Sequence, residues 1–142
     1  MYSQQSDLET RISATTLARL CNDDNTDLTK ADYETVKGLI ARADAMIDAK
    51  VSEIYQTPLV TPVDLVVKNI SVDLSIYFAY QRQSTGVDMP KSWDDTYKQA
   101  MATLDDIADE VIQLSQAQKI VSPEAVIVSP PEKFSHERLE NF

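Results

Sequence analysis

The chain has only two glycines among its 142 residues, and this scarcity constrains its fold more than any other feature of the sequence. Tight β-hairpins and phosphate-cradling loops usually need glycine, because their backbones enter conformations that other residues adopt only at a cost. The composition therefore disfavours an all-β fold and a glycine-rich nucleotide site. Few glycines and long amphipathic runs favour an all-α fold, and a chain of this length usually forms one domain. We therefore expect a compact helical bundle.

Apolar periodicity predicts two short helices followed by three long ones. Ser6 and Glu9 fit a capping box for the first helix, and Ser13 fits the cap of the second, A-T-T-L-A-R-L-C. Thr29 is expected to cap the third helix. Its apolar stripe has the spacing of an amphipathic helix and comprises Tyr33, Val36, Ile40, Ala43, Ile47, Val51 and Ile54.

The fourth predicted helix, over residues 63–83, is apolar on most sides. Pro62 suits its first turn with Thr61 as the cap, and Gly86 suits its stop. A helix that is apolar all round belongs at the centre of a bundle. We expect its own chain to bury one side and a neighbouring subunit to bury the apolar area left over.

The fifth predicted helix starts near Pro90 or Ser92 and fades after Gln118. Its seam has the heptad-like spacing of antiparallel bundle helices and consists of Trp93, Tyr97, Ala100, Leu104, Ile107, Val111 and Leu114. Trp93 has two interpretations. It is first a core anchor at the head of this helix, and second an interface hot spot.

The helical domain is expected to span residues 1–118, followed by an extended C-terminal arm over residues 119–142. Pro130 and Pro131 favour a stiff exit from the body, and bulky apolar residues recur in the otherwise polar arm. Such a segment can add a strand to another subunit or fill pockets on it. The predicted interface residues of the arm are Val126, Ile127, Val128, Phe134, Leu139 and Phe142.

The charge and the cysteine content narrow the partners and the compartment. A net charge of −10 repels DNA on average, although solubility alone also explains it. The lone Cys21 allows no intrachain disulfide and fits a buried position in a reducing compartment. No apolar run approaches the roughly 18 residues that span a bilayer, and the N-terminus lacks an apolar signal segment. We expect assembly in the cytoplasm, without a membrane.

An acidic turn at residues 23–34 matches part of an EF-hand calcium loop. The alternative function is therefore a regulatory helical protein that has a degenerate EF-hand and binds a partner helix. Leu28 stands where the sharp turn needs glycine, and Lys30 where an aliphatic residue is usual. These departures favour a plain polar turn. The candidate ligand positions are occupied by Asp23, Asn25, Asp27, Thr29 and Glu34.

No residue pattern indicates an enzyme. Adjacent acids such as Asp94 and Asp95 point about 100° apart on a helix, whereas catalytic carboxylates must converge on one substrate. His136 has no serine or cysteine partner in the pattern. We therefore expect no catalytic residue and no cofactor.

Five short motifs follow one another in a recognisable order. They are M-Y-x-x-x-x-D-L at the start, I-D-A-K-V-S-E-I-Y at the end of the third helix, P-L-V-T-P-V-D-L-V in the linker, D-L-S-I-Y in the fourth helix and K-F-S-H-E-R-L-E-N-F in the arm. Their order and spacing resemble a family of small proteins encoded among the head genes of Mu-like phages and prophages, long labelled a domain of unknown function. That family in turn resembles the head–tail connectors, or adaptors, of long-tailed phages.

The resemblance implies a structural role in the virion, at the joint between head and tail. It implies a helical subunit that forms a homo-oligomeric ring under the portal protein and joins the next connector, stopper or tail-completion protein. DNA would pass through this ring without specific binding, along an acidic channel wall. The acids expected to face the channel are Asp94, Asp95, Asp105 and Asp109.

Overall fold

A computed structural model describes residues 1–23, 27–83 and 89–121 of the chain. These residues form five helices, which are α1 (Gln5–Arg11), α2 (Ala14–Cys21), α3 (Tyr33–Val51), α4 (Leu65–Arg82) and α5 (Lys91–Ala108). The predicted all-α fold, with two short and three long helices, is confirmed. Within these ranges no helix is long and apolar enough to cross a membrane.

Helix α4 is the centre of the bundle, as predicted, and it contacts each of the other four helices. Even its serines are buried, and the Ser75 hydroxyl donates to the Ser71 carbonyl at 2.6 Å. The expected leftover apolar area on residues 63–83 is not found, because the other helices of the same chain cover this helix. Among the large apolar side chains of that range, only Leu65 is mostly exposed, at 70%.

The first two helices begin at polar caps, one of which differs from the prediction. The Asp7 carboxylate accepts the Gln4 amide at 2.8 Å, so Gln4 caps α1 and the predicted cap at Ser6 is wrong. Ser13 caps α2 as predicted, since its hydroxyl accepts the Thr16 amide at 3.1 Å. A carboxylate in the first turn also interacts favourably with the helix dipole. This interaction favours the capping box of Gln4 and Asp7 over the predicted one of Ser6 and Glu9.

The caps of α3 and α4 also lie beyond the predicted ones. The Asp32 carboxylate accepts the Thr35 amide at 2.9 Å, so Asp32 and not Thr29 caps α3. A carboxylate satisfies the free amides of a first turn at least as well as a threonine hydroxyl. Helix α4 begins after Asp64, beyond the predicted start at Pro62.

The apolar stripe of α3 is buried along the body of the helix and fails at its ends. Tyr33, the first stripe residue, is 59% exposed, and Ile54 is half-buried in the turn that follows the helix. The buried members are Val36, Ile40, Ala43, Ile47 and Val51.

Helix α5 ends at Ala108, well before the predicted end near Gln118. Glu110 has φ of 61°, in the left-handed region that stops a helix. The amide of Val111 then bonds back to the Asp106 carbonyl at 2.8 Å, which satisfies a free carbonyl of the last turn. The seam is therefore broken after α5, because Val111 is 73% exposed and the core is reached again only at Leu114.

Candidate functional site

The linker between α3 and α4 (residues 52–64) and the segment after α5 (residues 109–121) meet at the same end of the bundle, which we call the linker end. The fully buried Tyr55 accepts the Leu114 amide on its hydroxyl at 3.0 Å. The Asp64 carboxylate accepts the amides of Ser115 at 3.1 Å and Gln116 at 3.0 Å. Two linker side chains thus replace the helical hydrogen bonds that the segment after α5 lacks.

The Asp64 carboxylate stays ionised in this arrangement. Burial alone would raise its pKa, but hydrogen bonds from the Ser115 hydroxyl and from the Gln116 and Ser115 amides lower the pKa below its ordinary value. A carboxylate that accepts several donors is stabilised in its charged form. The contact therefore fixes the backbone of the segment and offers no acid for proton transfer.

A short antiparallel pairing holds the end of the same segment. Tyr55 and Lys119 form an isolated β-bridge, flanked by bonds from the Gln56 amide to the Gln118 carbonyl at 2.8 Å and from the Ile120 amide to the Ile54 carbonyl at 2.9 Å. In such a pairing, each residue directs its amide to the side of the strand opposite to that of the next residue. The linker therefore uses one backbone edge of the segment and leaves the other free of linker contacts.

Exposed apolar side chains cluster at the linker end. Glu110 and Lys119 form an ion pair at 2.9 Å, and their chain neighbours Val111 and Ile120 are 73% and 45% exposed. Of the eight large apolar side chains that are exposed in the described part of the chain, four lie in the two segments of this end, and a fifth, Leu65, is the adjoining first residue of α4. Because such a concentration typically marks an interaction surface, the linker end is the best candidate for one. The five are Val60, Leu65, Val111, Ile120 and Val121.

The four acids expected to face a channel lie on or just after α5, and they differ in their partners. Asp94 pairs with Lys98 at 3.0 Å on the same helix, and Asp105 pairs with Lys50 of α3 at 2.7 Å. Asp95 and Asp109 are exposed, and within the described ranges neither forms an ion pair. Those two carboxylates are therefore the free negative charges among the four.

Trp93 packs inside the chain. Its ring stacks on Tyr80 of α4, with ring centroids 6.1 Å apart, and it is only half-buried. A second stack joins Tyr77 of α4 to Tyr97 of α5 at 4.1 Å. Both stacks add to the α4–α5 contact and favour the core-anchor interpretation of Trp93. Its role in an interface stays a prediction.

Asn22 organises the acidic turn and was missed by the sequence analysis. Its amide nitrogen donates to the carbonyls of Asp27 at 2.6 Å and Lys30 at 2.9 Å, and its amide oxygen accepts the Asp32 amide at 2.6 Å. Asparagine side chains commonly close turns in this way. Hydrogen bonds of the Asn22 side chain therefore hold the two ends of the turn together.

The proposed calcium ligands in the described part of the turn have other contacts. The Asp23 carboxylate pairs with Arg82 at 2.6 Å. The Asp27 carboxylate accepts the hydroxyl and amide of Thr29, which lowers its pKa. Glu34 is exposed on the first turn of α3, and Asn25 lies outside the described residues. Nowhere in residues 1–23, 27–83 and 89–121 do three or more His, Cys, Asp or Glu side chains group as metal ligands.

A buried polar network fixes the first residues of the chain against α3 and α4. The Asp44 carboxylate accepts the Tyr2 amide at 2.9 Å and the Ser71 hydroxyl at 2.7 Å, and Ser3 bonds to Ser71 at 2.8 Å. Burial raises the pKa of Asp44, although the hydrogen bonds from Ser71 and Tyr2 oppose that shift. Sequence reasoning missed this network, because its partners are far apart in the chain and no local pattern joins them.

The phenol of Tyr2 extends the network to the linker. Its hydroxyl accepts the Leu59 amide at 2.7 Å and donates to the Asp48 carboxylate. Burial, together with the bond to Asp48, raises the pKa of Tyr2 well above its ordinary value, so the phenol stays neutral. Tyr2, Asp48 and Leu59 come from three of the motifs that carry the family resemblance, so those motifs hold the fold together.

The predicted interface residues of the arm lie outside the described residues, and so does His136. This part of the predicted site therefore stays a prediction. The residues concerned are Val126, Ile127, Val128, Phe134, Leu139 and Phe142.

Comparison with known proteins gives the family. No curated protein matches the sequence. The family model described as "Bacteriophage Mu, Gp36" matches residues 2–128. That span begins at the buried Tyr2 and includes all five helices, the linker and the segment after α5. Because the match covers nearly the whole chain, this protein belongs to the Bacteriophage Mu Gp36 family.

Proposed function

We propose that this chain is a head–tail connector, or adaptor, subunit of a tailed phage or prophage. Copies would form a ring beneath the portal protein and join the DNA-filled head to the next connector, stopper or tail-completion protein. The protein would then reside in the virion at the head–tail joint, after assembly in the host cytoplasm. The match of residues 2–128 to the Bacteriophage Mu Gp36 family carries this proposal.

The distribution of apolar surface supports assembly through the linker end. A ring subunit must bury a patch of its surface against each neighbour, and such patches are enriched in apolar side chains at their centres. The central helix α4 has little apolar surface to offer, with Leu65 as its main exposed residue, whereas Val60, Val111 and Val121 are each more than half exposed. A ring contact would therefore use the linker and the segment after α5.

The charge of the chain supports a channel that DNA crosses without sticking. The net charge is −10, and the exposed Asp95 and Asp109 add negative charge that no ion pair in the described part of the chain offsets. Repeated around a ring, such acids would repel the phosphate backbone, although salt limits each charge to a range of about 8 Å at physiological ionic strength. Asp94 and Asp105 contribute less, because Lys98 and Lys50 offset them.

The arm would strengthen a ring that has already begun to form. Residues 122–142 carry the apolar anchors Val126–Val128, Phe134, Leu139 and Phe142. Once two subunits are neighbours, a tethered segment binds at a high effective concentration, which raises affinity without requiring a strong contact by itself. The arm and the linker end would thus act together.

Native mass spectrometry of the full chain, alone and mixed with portal rings from the same phage, tests the proposal. We expect a closed ring, with a dodecamer as the first candidate, or co-sedimentation with the portal. A Val111→Ser variant should weaken this assembly, whereas Tyr33→Ser, at an exposed residue of α3, should serve as the matched control without effect. A protein that stays monomeric at high concentration and does not sediment with portal rings would contradict the proposal.

A further inference from the structure

The outer backbone edge of residues 119–121 is available for a new strand. The Ile120 amide points to the linker, where it bonds to the Ile54 carbonyl at 2.9 Å. Amides two residues apart in a strand share a side, so the Lys119 amide points away from the linker, and the Val121 amide does so in a strand that continues one residue beyond Ile120. In the part of the chain that the structure describes, neither amide has a hydrogen-bond partner. Free strand edges of this kind are templates for pairing with another segment.

Side chains beside this edge suit an apolar partner strand. Val121 is 77% exposed and Ile120 is 45% exposed. Val111, 73% exposed, directly follows Glu110, whose carboxylate forms an ion pair with Lys119 at 2.9 Å. A strand with β-branched side chains would cover these valines and gain backbone hydrogen bonds at the same time.

We propose that the segment Ala125–Val128 of a second copy of this chain pairs as a strand with the outer edge of residues 119–121. This segment reads A-V-I-V and is bounded by Pro123 and Pro130. Three consecutive β-branched residues favour a strand, and the prolines limit its length. The inference rests on the proposed connector function and names the contact between subunits in that ring.

We expect the paired segment to come from a second copy, because the connection between the edge and the segment of the same chain is short. Only Ser122, Pro123 and Glu124 separate the edge from the segment. A three-residue hairpin loop usually needs its last residue in the left-handed conformation, for which glycine is preferred and glutamate is not. Pairing with the neighbouring subunit avoids this cost, since the connection can then remain extended.

The first test removes one outward amide and leaves the fold unchanged. In the full-length chain, Val121→Pro deletes that amide, and the proline also favours an extended conformation at Ile120, which suits the pairing of Ile120 with Ile54. The matched control is Val121→Thr, which keeps the amide and the β-branched shape. We expect Val121→Pro to assemble about tenfold more weakly than Val121→Thr in sedimentation velocity, since one backbone hydrogen bond is lost per contact. Equal assembly of the two variants would overturn the inference.

The second test identifies the chain that supplies the strand. One full-length chain carries Val121→Cys, and a second, distinguishable by mass, carries Val126→Cys, Ile127→Cys or Val128→Cys. Cys21 should not compete, because it is buried and its pKa is raised to about 11 by that burial. We expect disulfides between the two different chains. A disulfide that forms only within a chain carrying both substitutions would overturn the inference.

The outcomes separate this inference from the connector function. Intact rings whose assembly does not distinguish Val121→Pro from Val121→Thr would reject the strand pairing and retain the connector function. A wild-type chain that remains monomeric both alone and with portal rings would reject both.

Discussion

Two non-helical regions of the molecule are organised in opposite ways. The N-terminal segment, residues 1–4, buries Tyr2 and Ser3 and joins them to Asp44, Ser71 and the linker through hydrogen bonds. The segment after α5, residues 109–121, is also held by hydrogen bonds to the linker, but it leaves the apolar side chains of Val111, Ile120 and Val121 exposed. We infer that the first region stabilises the subunit and that the second is available to partners.

The largest expected effect is on the N-terminal segment, where Tyr2→Ala should destabilise the monomer. Removing a buried aromatic ring from a packed site costs about 3 to 5 kcal/mol of unfolding free energy, and Tyr2 is only 6% exposed. Tyr2→Phe keeps the ring but leaves the buried Leu59 amide without its acceptor, which costs about 1 to 3 kcal/mol. Urea unfolding measures both free energies. A Tyr2→Ala chain as stable as the wild type would contradict the inference that the N-terminal segment stabilises the subunit.

A second prediction concerns the anchor of the segment after α5. Tyr55→Phe should lower the unfolding free energy by about 1 to 3 kcal/mol, because the buried Leu114 amide loses its acceptor. Tyr33→Phe, at a site that is 59% exposed, is the matched control and should be nearly neutral. Equal thermal stability of the two variants would mean that the Tyr55 hydroxyl does not hold the segment.

A third prediction tests the buried carboxylate by its pH dependence. Burial raises the pKa of Asp44 above 3.8, so the folded chain binds this proton more readily than the unfolded chain. Linkage then lowers stability as pH rises through the folded pKa and restores it as pH falls toward 3.8. Relative to Asp44→Asn, the wild type should therefore gain stability on acidification from neutral pH in thermal unfolding. A relative loss would contradict the assignment. Burial also raises the pKa of Asp73. Because Asp73 is present in both the wild type and the Asp44→Asn variant, its contribution cancels in this comparison.

A fourth prediction concerns the α5 acids, where the effect on folding should be negligible. Asp95→Asn with Asp109→Asn should leave the melting temperature unchanged, because both side chains are exposed and unpaired within the described ranges. Assembled rings of this variant should retain duplex DNA more strongly at low salt than rings with Asp94→Asn and Asp105→Asn. The reverse order would reject the channel role of the free acids.

The smallest expected effect belongs to the acidic turn. Calcium should neither release heat in calorimetry nor change the melting temperature, because Arg82 and Thr29 already engage Asp23 and Asp27. Micromolar binding would instead support the calcium-binding alternative and would overturn the interpretation of residues 23–34 as a plain turn.

The sequence predicts what depends on local periodicity, and it misses what depends on distant partners. The α3 stripe from Val36 to Val51 and the central position of α4 follow from apolar spacing. The end of α5 does not, because the seam continues through Val111 while Glu110 turns the backbone into the left-handed region.

Long-range polar contacts are equally invisible in a local pattern. The Tyr2 hydroxyl reaches the Leu59 amide, and the Asp64 carboxylate reaches Ser115 and Gln116. No sequence pattern near Tyr2 or Asp64 predicts these hydrogen-bond partners. The strand edge at residues 119–121 was likewise hidden, because it exists only once the linker has paired with Gln118 and Ile120.

Amide hydrogen exchange along the whole chain, compared between the free subunit and the assembled ring, tests the central claim most directly. We predict that protection on assembly rises in residues 109–121, with the Lys119 and Val121 amides included. The Tyr2 and Leu59 amides should already be protected in the free subunit, where they bond to Asp44 and to the Tyr2 hydroxyl. Protection that rises at the N-terminal segment and leaves residues 109–121 unchanged would contradict the account.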